Sequence, residues 1–352
     1  MGLFFTVLVL GFVIFIHEMG HFLSALWMKV RVYEFCIGFG PKIFSINRLN
    51  IDYSFRLFPL GGFVRLAGMD DTEGQICSEE ENFNSKSVFA RMLIILAGSA
   101  VNILFGFLFF VAVSFFVGIP SLTPVITSVV EGRAADIAGM KVGDKLLSID
   151  SKKINNVSDD FVKYVASSQG KSLKIVYLRQ NQKYSVNVKP DVLKNENVPR
   201  IGIVLDSKIT KWSIIFSIKY GIKQLTYYSL MVFKSFTYLF EGKASIKDLA
   251  GPVGIVQMAA FQYEQGILVF LHFMAMLSIS LGVINLFPIP ALDGGHFMFL
   301  VYELIFSKKV PENFKANIQA VGMFILLFLM SFIIVNDVLN WTDRSALFES
   351  LK

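Results

Sequence analysis

Cysteine is nearly absent from this chain. The 352 residues hold two, Cys36 and Cys77, with no C-x-x-C pair, which excludes a disulfide-stapled domain and a cysteine zinc ribbon alike. Charge is thin as well, at 17% of residues against about 25% in average soluble domains. The net charge of +6 comes from bases spread through loops rather than gathered on one stretch, so no nucleic-acid partner is expected. Apolar residues are plentiful instead. The chain is 54% hydrophobic with 36 Phe, and its mean hydropathy is +0.58. That is the composition of a membrane protein, and the lipid bilayer is its first expected partner.

Long uncharged runs place the spans. Residues 92–119, 265–292 and 316–336 carry no Asp, Glu, Lys or Arg, and each reaches the roughly 20 residues a bilayer demands. Residues 1–16 are also uncharged and open a fourth span, 1–28. This first segment lacks a basic start and a small-x-small cleavage site, so it is not expected to be a removed signal peptide. Eight Lys or Arg residues lie between Lys29 and Arg91, and Lys308, Lys309 and Lys315 sit between the last two spans. The positive-inside rule puts both loops in the cytoplasm and both termini outside.

Histidine is scarce as well. There are four, and two form His17-Glu18-Met19-Gly20-His21 within the first apolar run. On a helix this H-E-x-x-H pattern puts two imidazoles one turn apart on one face with a carboxylate beside them, the spacing of a zinc site. Such matches also arise as solvated polar turns, but here the surroundings are apolar, where ionisable groups mark function. A catalytic zinc needs a third protein ligand and an open position for water. The third long run ends in Asn285-Leu-Phe-Pro-Ile-Pro-Ala-Leu-Asp-Gly-Gly295, where Asp293 is the sole carboxylate. Unpaired at that depth it would be costly, and a dication removes the cost. Pro288 and Pro290 must break the helix, which opens a polar pocket and aims Asp293. Loop charges set this end at the cytoplasmic side, level with His17 and His21.

The remaining intervals divide by pattern. Residues 29–91 predict a cytoplasmic, membrane-associated β-rich loop with short strands at 31–35, 42–46, 51–57 and 62–66, a turn at Gly61-Gly62, and a solvated acidic loop from Asp70 to Glu81. Residues 120–206 predict a soluble α+β module with strands at 125–130, 145–149, 172–179, 183–188 and 201–204 and helices at 134–138 and 159–167. Within 207–264, Lys211, Lys219, Lys223 and Lys234 fall on one side of a helix that is otherwise aromatic and aliphatic, a pattern for a helix in the membrane interface. The third span extends over 265–303, the fourth covers 316–336, and 337–352 forms a C-terminal tail.

Two resemblances follow from these residues. Gly132 to Asp150 resembles the PDZ domain in its bacterial, circularly permuted form, which implies that Arg200-Ile-Gly202-Ile203 is a loop for a peptide carboxyl terminus. H-E-x-x-H in the first span, N-x-x-P-x-P-x-L-D-G-G in the third and one PDZ insert between them resemble the site-2 protease family of intramembrane zinc metalloproteases, in its bacterial regulator of sigma-E protease type. Phe55 to Val64 and Gly251-Pro-Val-Gly254 extend the likeness. The resemblance implies a multi-pass α-helical protein of the bacterial inner membrane, with four transmembrane helices, a membrane-associated β-hairpin region and a periplasmic PDZ domain. It implies one zinc ion per chain on His17, His21 and Asp293, Glu18 as general base, and single-span membrane proteins as substrates. Asn285, Pro288 and Pro290 would meet the substrate, and Gly202 the PDZ ligand. His272 and His296 match no ligand position. Relatives of this type carry two tandem PDZ domains, whereas this chain has room for one. The competing reading is a membrane-embedded PDZ scaffold or chaperone with a non-catalytic metal site; a transporter fits poorly without an inverted repeat.

Overall fold

A computed structural model describes the chain except residues 1, 70–76, 155–156, 169, 193–197, 212, 243–249 and 351–352. In chain order the elements are α1 (Gly2–Trp27), β1 (Val32–Arg48), β2 (Ile51–Leu66), α2 (Val88–Ala112), β3 (Ile119–Val129), α3 (Ala134–Ile137), β4 (Lys145–Ile149), β5 (Lys152–Lys153), α4 (Lys163–Ala166), β6 (Leu173–Arg179), β7 (Gln182–Val188), β8 (Ile203–Thr210), α5 (Ile214–Phe240), α6 (Pro252–Glu264), α7 (Ile267–Asn285), α8 (Asp293–Phe306), α9 (Glu312–Leu339) and α10 (Trp341–Ser350). They fall into two compact units, 1–112 with 215–352, and 113–214.

Among the described residues, three helical stretches are long and apolar enough to cross a membrane: Val88–Val117, Ile267–Asn285 and Glu312–Leu339. Within α1, Gly11–Trp27 is a shorter apolar helix. Helix α7 stops where Pro288 and Pro290 remove two backbone donors, and the chain restarts as α8 at Asp293. Helix α5 lays Tyr228 on Phe110, ring planes 12° apart, and accepts or donates one hydrogen bond with His272 of α7 at 2.8 Å. Further along, Phe233 and Phe236 pack on Phe287.

The region after α1 forms short paired segments close to those that the sequence predicts. Strands β1 and β2 turn at Leu49-Asn50, both at positive φ, and each strand folds back on itself, so that 42–48 pair 51–56 while 34–37 lie between 52–55 and 62–66. Ile37 faces Phe55 on one side and Gly62 on the other, so the chain reverses between those two residues, in the stretch that holds the turn expected at Gly61-Gly62. Close approach also requires glycine there: a Cβ on Gly62 would lie 2.8 Å from both the Cys36 oxygen and Glu18 Cγ. Glycine thus also admits the hairpin to α1. Buried Glu34 ties the strands together, accepting from Ser54 at 2.7 Å and Arg56 at 3.1 Å, with Lys42 also at 3.1 Å. Burial alone would raise the Glu34 carboxyl; the bonds from Ser54, Arg56 and Lys42 outweigh it and hold the group below its ordinary range. Of the acidic stretch, 70–76 lie outside the described residues, and Glu79–Glu81 form a short helical turn whose Glu81 oxygen accepts from the Arg31 N–H.

Beyond the hairpin, α2 begins on an ion pair between buried Arg91 and half-buried Glu303. Arg91 meets Glu303 of α8 through two bonds, 2.9 and 2.7 Å, and its Nε donates to the Lys86 oxygen. Removing one partner strands the other charge, which costs about 3–5 kcal/mol in a fully buried pair and less where the stranded group is half-buried, while replacing both by apolar groups is milder. Arg91→Met should therefore lower the thermal midpoint of the protein in nanodiscs more than Arg91→Met with Glu303→Leu does. Equal losses would show that the pair is solvated and unimportant.

In the second unit the sheet order is β7-β6-β4-β3-β8, with β5 pairing β4. Alternate residues Leu173, Ile175 and Tyr177 of β6 turn inward, as a half-buried strand requires, and meet Ile126, Leu146, Ile149, Phe161 and Val165 in one core. Buried Asp144 is held by Arg179 through two 2.7 Å bonds and caps Lys141 N–H at 2.8 Å. Strand β8 pairs only β3, so it forms an edge among the described strands.

Candidate metal centre

Helix α1 carries His17 and His21 one turn apart on the face turned to α2. Helix α8 offers Asp293 from its first turn, where the positive end of the helix dipole favours a carboxylate. The three meet. His17 Nε2 and His21 Nε2 stand 3.2 Å apart, and Asp293 Oδ2 lies 3.4 and 3.5 Å from them. These are the edges of a small triangle. Four ligands at 2.0–2.2 Å around a tetrahedral zinc would be about 3.4 Å apart, so the donor set fits that ion without rearrangement. No other group of three or more His, Cys, Asp or Glu residues is close enough to hold a metal among the described residues.

A cavity of about 290 Å³ opens onto this triangle, lined by Glu18, Asn285, Ala291 and Asp293 and walled on one side by Gly62, Phe63, Val64 and Leu66 of β2. Glu18 is buried beside the two histidines. The Asn285 amide nitrogen is 3.4 Å from His17 Nε2. Pro288 and Pro290 shape the break between α7 and α8 but do not line the cavity; Pro290 packs instead on Gly322 of α9. In the break, Ala291 sits at φ +75° and its N–H donates to the Gln319 side chain of α9. His296 lines the same cavity one turn past Asp293. Gly202 belongs to the second unit, at φ +77°, where it lines a groove of about 490 Å³ with Arg133, Phe161, Val165 and Ile203.

Helix α2 supplies what sequence reasoning missed. The Ile94 carbonyl accepts from His21 Nδ1 at 2.9 Å, which leaves Nε2 as the nitrogen with a lone pair. Ser99 donates to Asp293 Oδ2 at 3.0 Å. Gly98 makes room: a Cβ there would lie 2.2 Å from His21 Nε2, and one on Gly20 would lie 2.5 Å from the Ala97 oxygen. The signal available in sequence was the small, polar run Ala97-Gly98-Ser99-Ala100 with Asn102, set in an otherwise apolar span.

Comparison with known proteins gives the following matches. The profile of a family described as Peptidase family M50 matches residues 5–329. A putative zinc metalloprotease of Fusobacterium nucleatum is 36% identical over 338 residues, covering 95% of this chain and 97% of that protein. The regulator of sigma-W protease RasP of Bacillus subtilis is 28% identical over 410 residues, covering 94% and 97%. Among solved structures, the PDZ domain of an SdrC-like protein of Listeria monocytogenes matches at 26% identity over 23% of this chain and 84% of its own, with a TM-score of 0.22.

Proposed function

The chain belongs to Peptidase family M50 and is a zinc metalloprotease of the membrane; from that premise we propose that His17, His21 and Asp293 hold its single zinc, that Glu18 is the general base, and that the substrate is a single-span membrane protein cut within its apolar segment. The observation that carries this is the triangle of 3.2–3.5 Å between three ligand atoms at the floor of a cavity that contains a free carboxylate. The family sets aside the alternative of a PDZ scaffold with an idle metal site.

When bound, zinc lowers the pKa of a water to about 7 and polarises a carbonyl. The chain's own residues do the rest. Glu18 accepts the proton of the attacking water and returns it to the leaving nitrogen. The Asn285 amide, beside His17, is placed to bond the substrate backbone. Strand β2 pairs only β1 among the described strands, and its Gly62, Phe63, Val64 and Leu66 wall the cavity. An unwound substrate segment adds there as a further strand, which presents a peptide bond that a helix would shield.

Four spans at 1–28, 92–119, 265–303 and 316–336 then set the topology, with the catalytic end toward the cytoplasm and residues 120–206 on the periplasmic side of a bacterial inner membrane. Helix α5, with Lys219, Lys223 and Lys234 exposed, lies at the interface and leans on α2 and α7. The hairpin tip, with Ile43, Phe44, Ile46 and Leu49 exposed, dips into lipid. The second unit is a PDZ domain that takes a peptide carboxyl terminus at Gly202, supported by the 132–150 sequence pattern and by the apolar groove beside the β8 edge. Trapping in native membranes with Glu18→Gln tests the substrate class. Captured proteins should be single-span; enrichment of soluble proteins alone would refute it.

A further inference from the structure

We propose that Ser99 of α2 is a positioning residue of the metal centre, acting through Asp293; this rests on the zinc-site reading above. Ser99 is fully buried, at 0% exposure, and its hydroxyl donates to Asp293 Oδ2 at 3.0 Å. That oxygen, and not Oδ1, faces Nε2 of both histidines. The terminal torsion of an aspartate is broad and roughly two-fold, so the backbone of α8 does not by itself decide which oxygen points at the ligand triangle. A donor from a neighbouring helix does. Oxygen Oδ2 then has one lone pair engaged by Ser99 and one left for a cation, the arrangement by which outer groups orient metal ligands.

The partner helix is well chosen for this work. Through the Ile94 oxygen it also sets the tautomer of His21, so α2 orients two of the three ligands while contributing none. Gly98, between them in sequence, is what lets the α1 ligand reach them. The simpler account is that Ser99 is a buried hydroxyl satisfied by whatever acceptor is near. Ser278 of α7 provides the control: it is equally buried in the α2–α7 contact and bonds the Asn102 carbonyl at 2.8 Å, with no tie to a ligand.

Zinc affinity of the purified full chain, measured by competition with a chromophoric chelator, separates the two. Wild type, Ser99→Thr and Ser278→Ala should bind one zinc with the same affinity, while Ser99→Ala should bind 10- to 100-fold more weakly, the usual loss for an outer-shell donor. The visible spectrum of the cobalt-substituted Ser99→Ala protein should shift as well, and that of Ser278→Ala should not. Unchanged affinity and spectrum in Ser99→Ala would overturn the proposal while leaving the zinc site standing. A wild type that binds no zinc would instead remove the metalloprotease reading, and Ser99 with it. Should Ser99→Ala fail to elute as a folded species, Ser99→Cys keeps the size and weakens the donor, and the same loss is expected of it.

Discussion

Glu18→Gln should abolish cleavage of a membrane-anchored substrate while leaving one zinc per chain. Glutamine has the shape of glutamate, so the buried side chain beside His17 and His21 still fills its place against Gly62. It is no ligand, and the three atoms that converge at 3.2–3.5 Å are untouched. What is lost is the ability to take a proton from water and hand it on. General acid–base catalysis contributes about 10²–10⁴ in rate, so turnover in reconstituted membranes should fall by that factor with metal content constant. Cleavage at the wild-type rate would place the base elsewhere. Loss of zinc along with activity would mean that Glu18 supports the ligands rather than the chemistry.

Gly98→Ala is the second large effect, and it runs against local preference. Alanine is favoured over glycine in a helix by about 1 kcal/mol, so on propensity α2 should gain. The added methyl group, however, would sit 2.2 Å from His21 Nε2 and 2.8 Å from its Cε1, closer than any real contact. The ring cannot swing aside freely, because its Nδ1 is tied to the Ile94 oxygen in the same helix. Either His21 leaves the triangle or α1 moves off α2. A displacement of about 1 Å costs roughly 100-fold in rate, and the zinc affinity should drop with it. Chelator competition and turnover on the purified variant check both. A Gly98→Ala protein that binds zinc and cleaves as wild type does would show that α1 and α2 are farther apart than described.

Much of this site was legible in the order of residues, for a physical reason. Ionisable groups are so costly in an apolar run that His17, Glu18, His21 and Asp293 announce themselves, and Pro288 with Pro290 can only break a helix. The parts that act through the backbone or through packing left no such mark. Nothing in sequence distinguishes the Ile94 carbonyl from its neighbours, because every residue has one. Gly98 and Ser99 look like ordinary small residues until the partner helix is in place. The hairpin was legible in its short segments and in the reversal that ends at Gly62, but not in its order: 34–37 lies between 52–55 and 62–66, a pairing that no local pattern carries. The residues after 336 were legible only as a tail, yet Asp337 is fully buried, bonding the N–H groups of Gly251 and Gly254 and the Arg344 guanidinium. That pairing joins residues more than 80 positions apart, beyond the reach of any local pattern.

The position of the scissile bond bears most directly on what this molecule does. The purified wild-type chain, loaded with one zinc and reconstituted in nanodiscs with a single-span substrate, should yield fragments whose mass places the cut inside the apolar segment. Stripping the zinc should stop the reaction, and adding it back should restore it. A cut in the flanking soluble region, or unchanged cleavage by the zinc-free protein, would contradict a protease that works within the membrane through His17, His21 and Asp293.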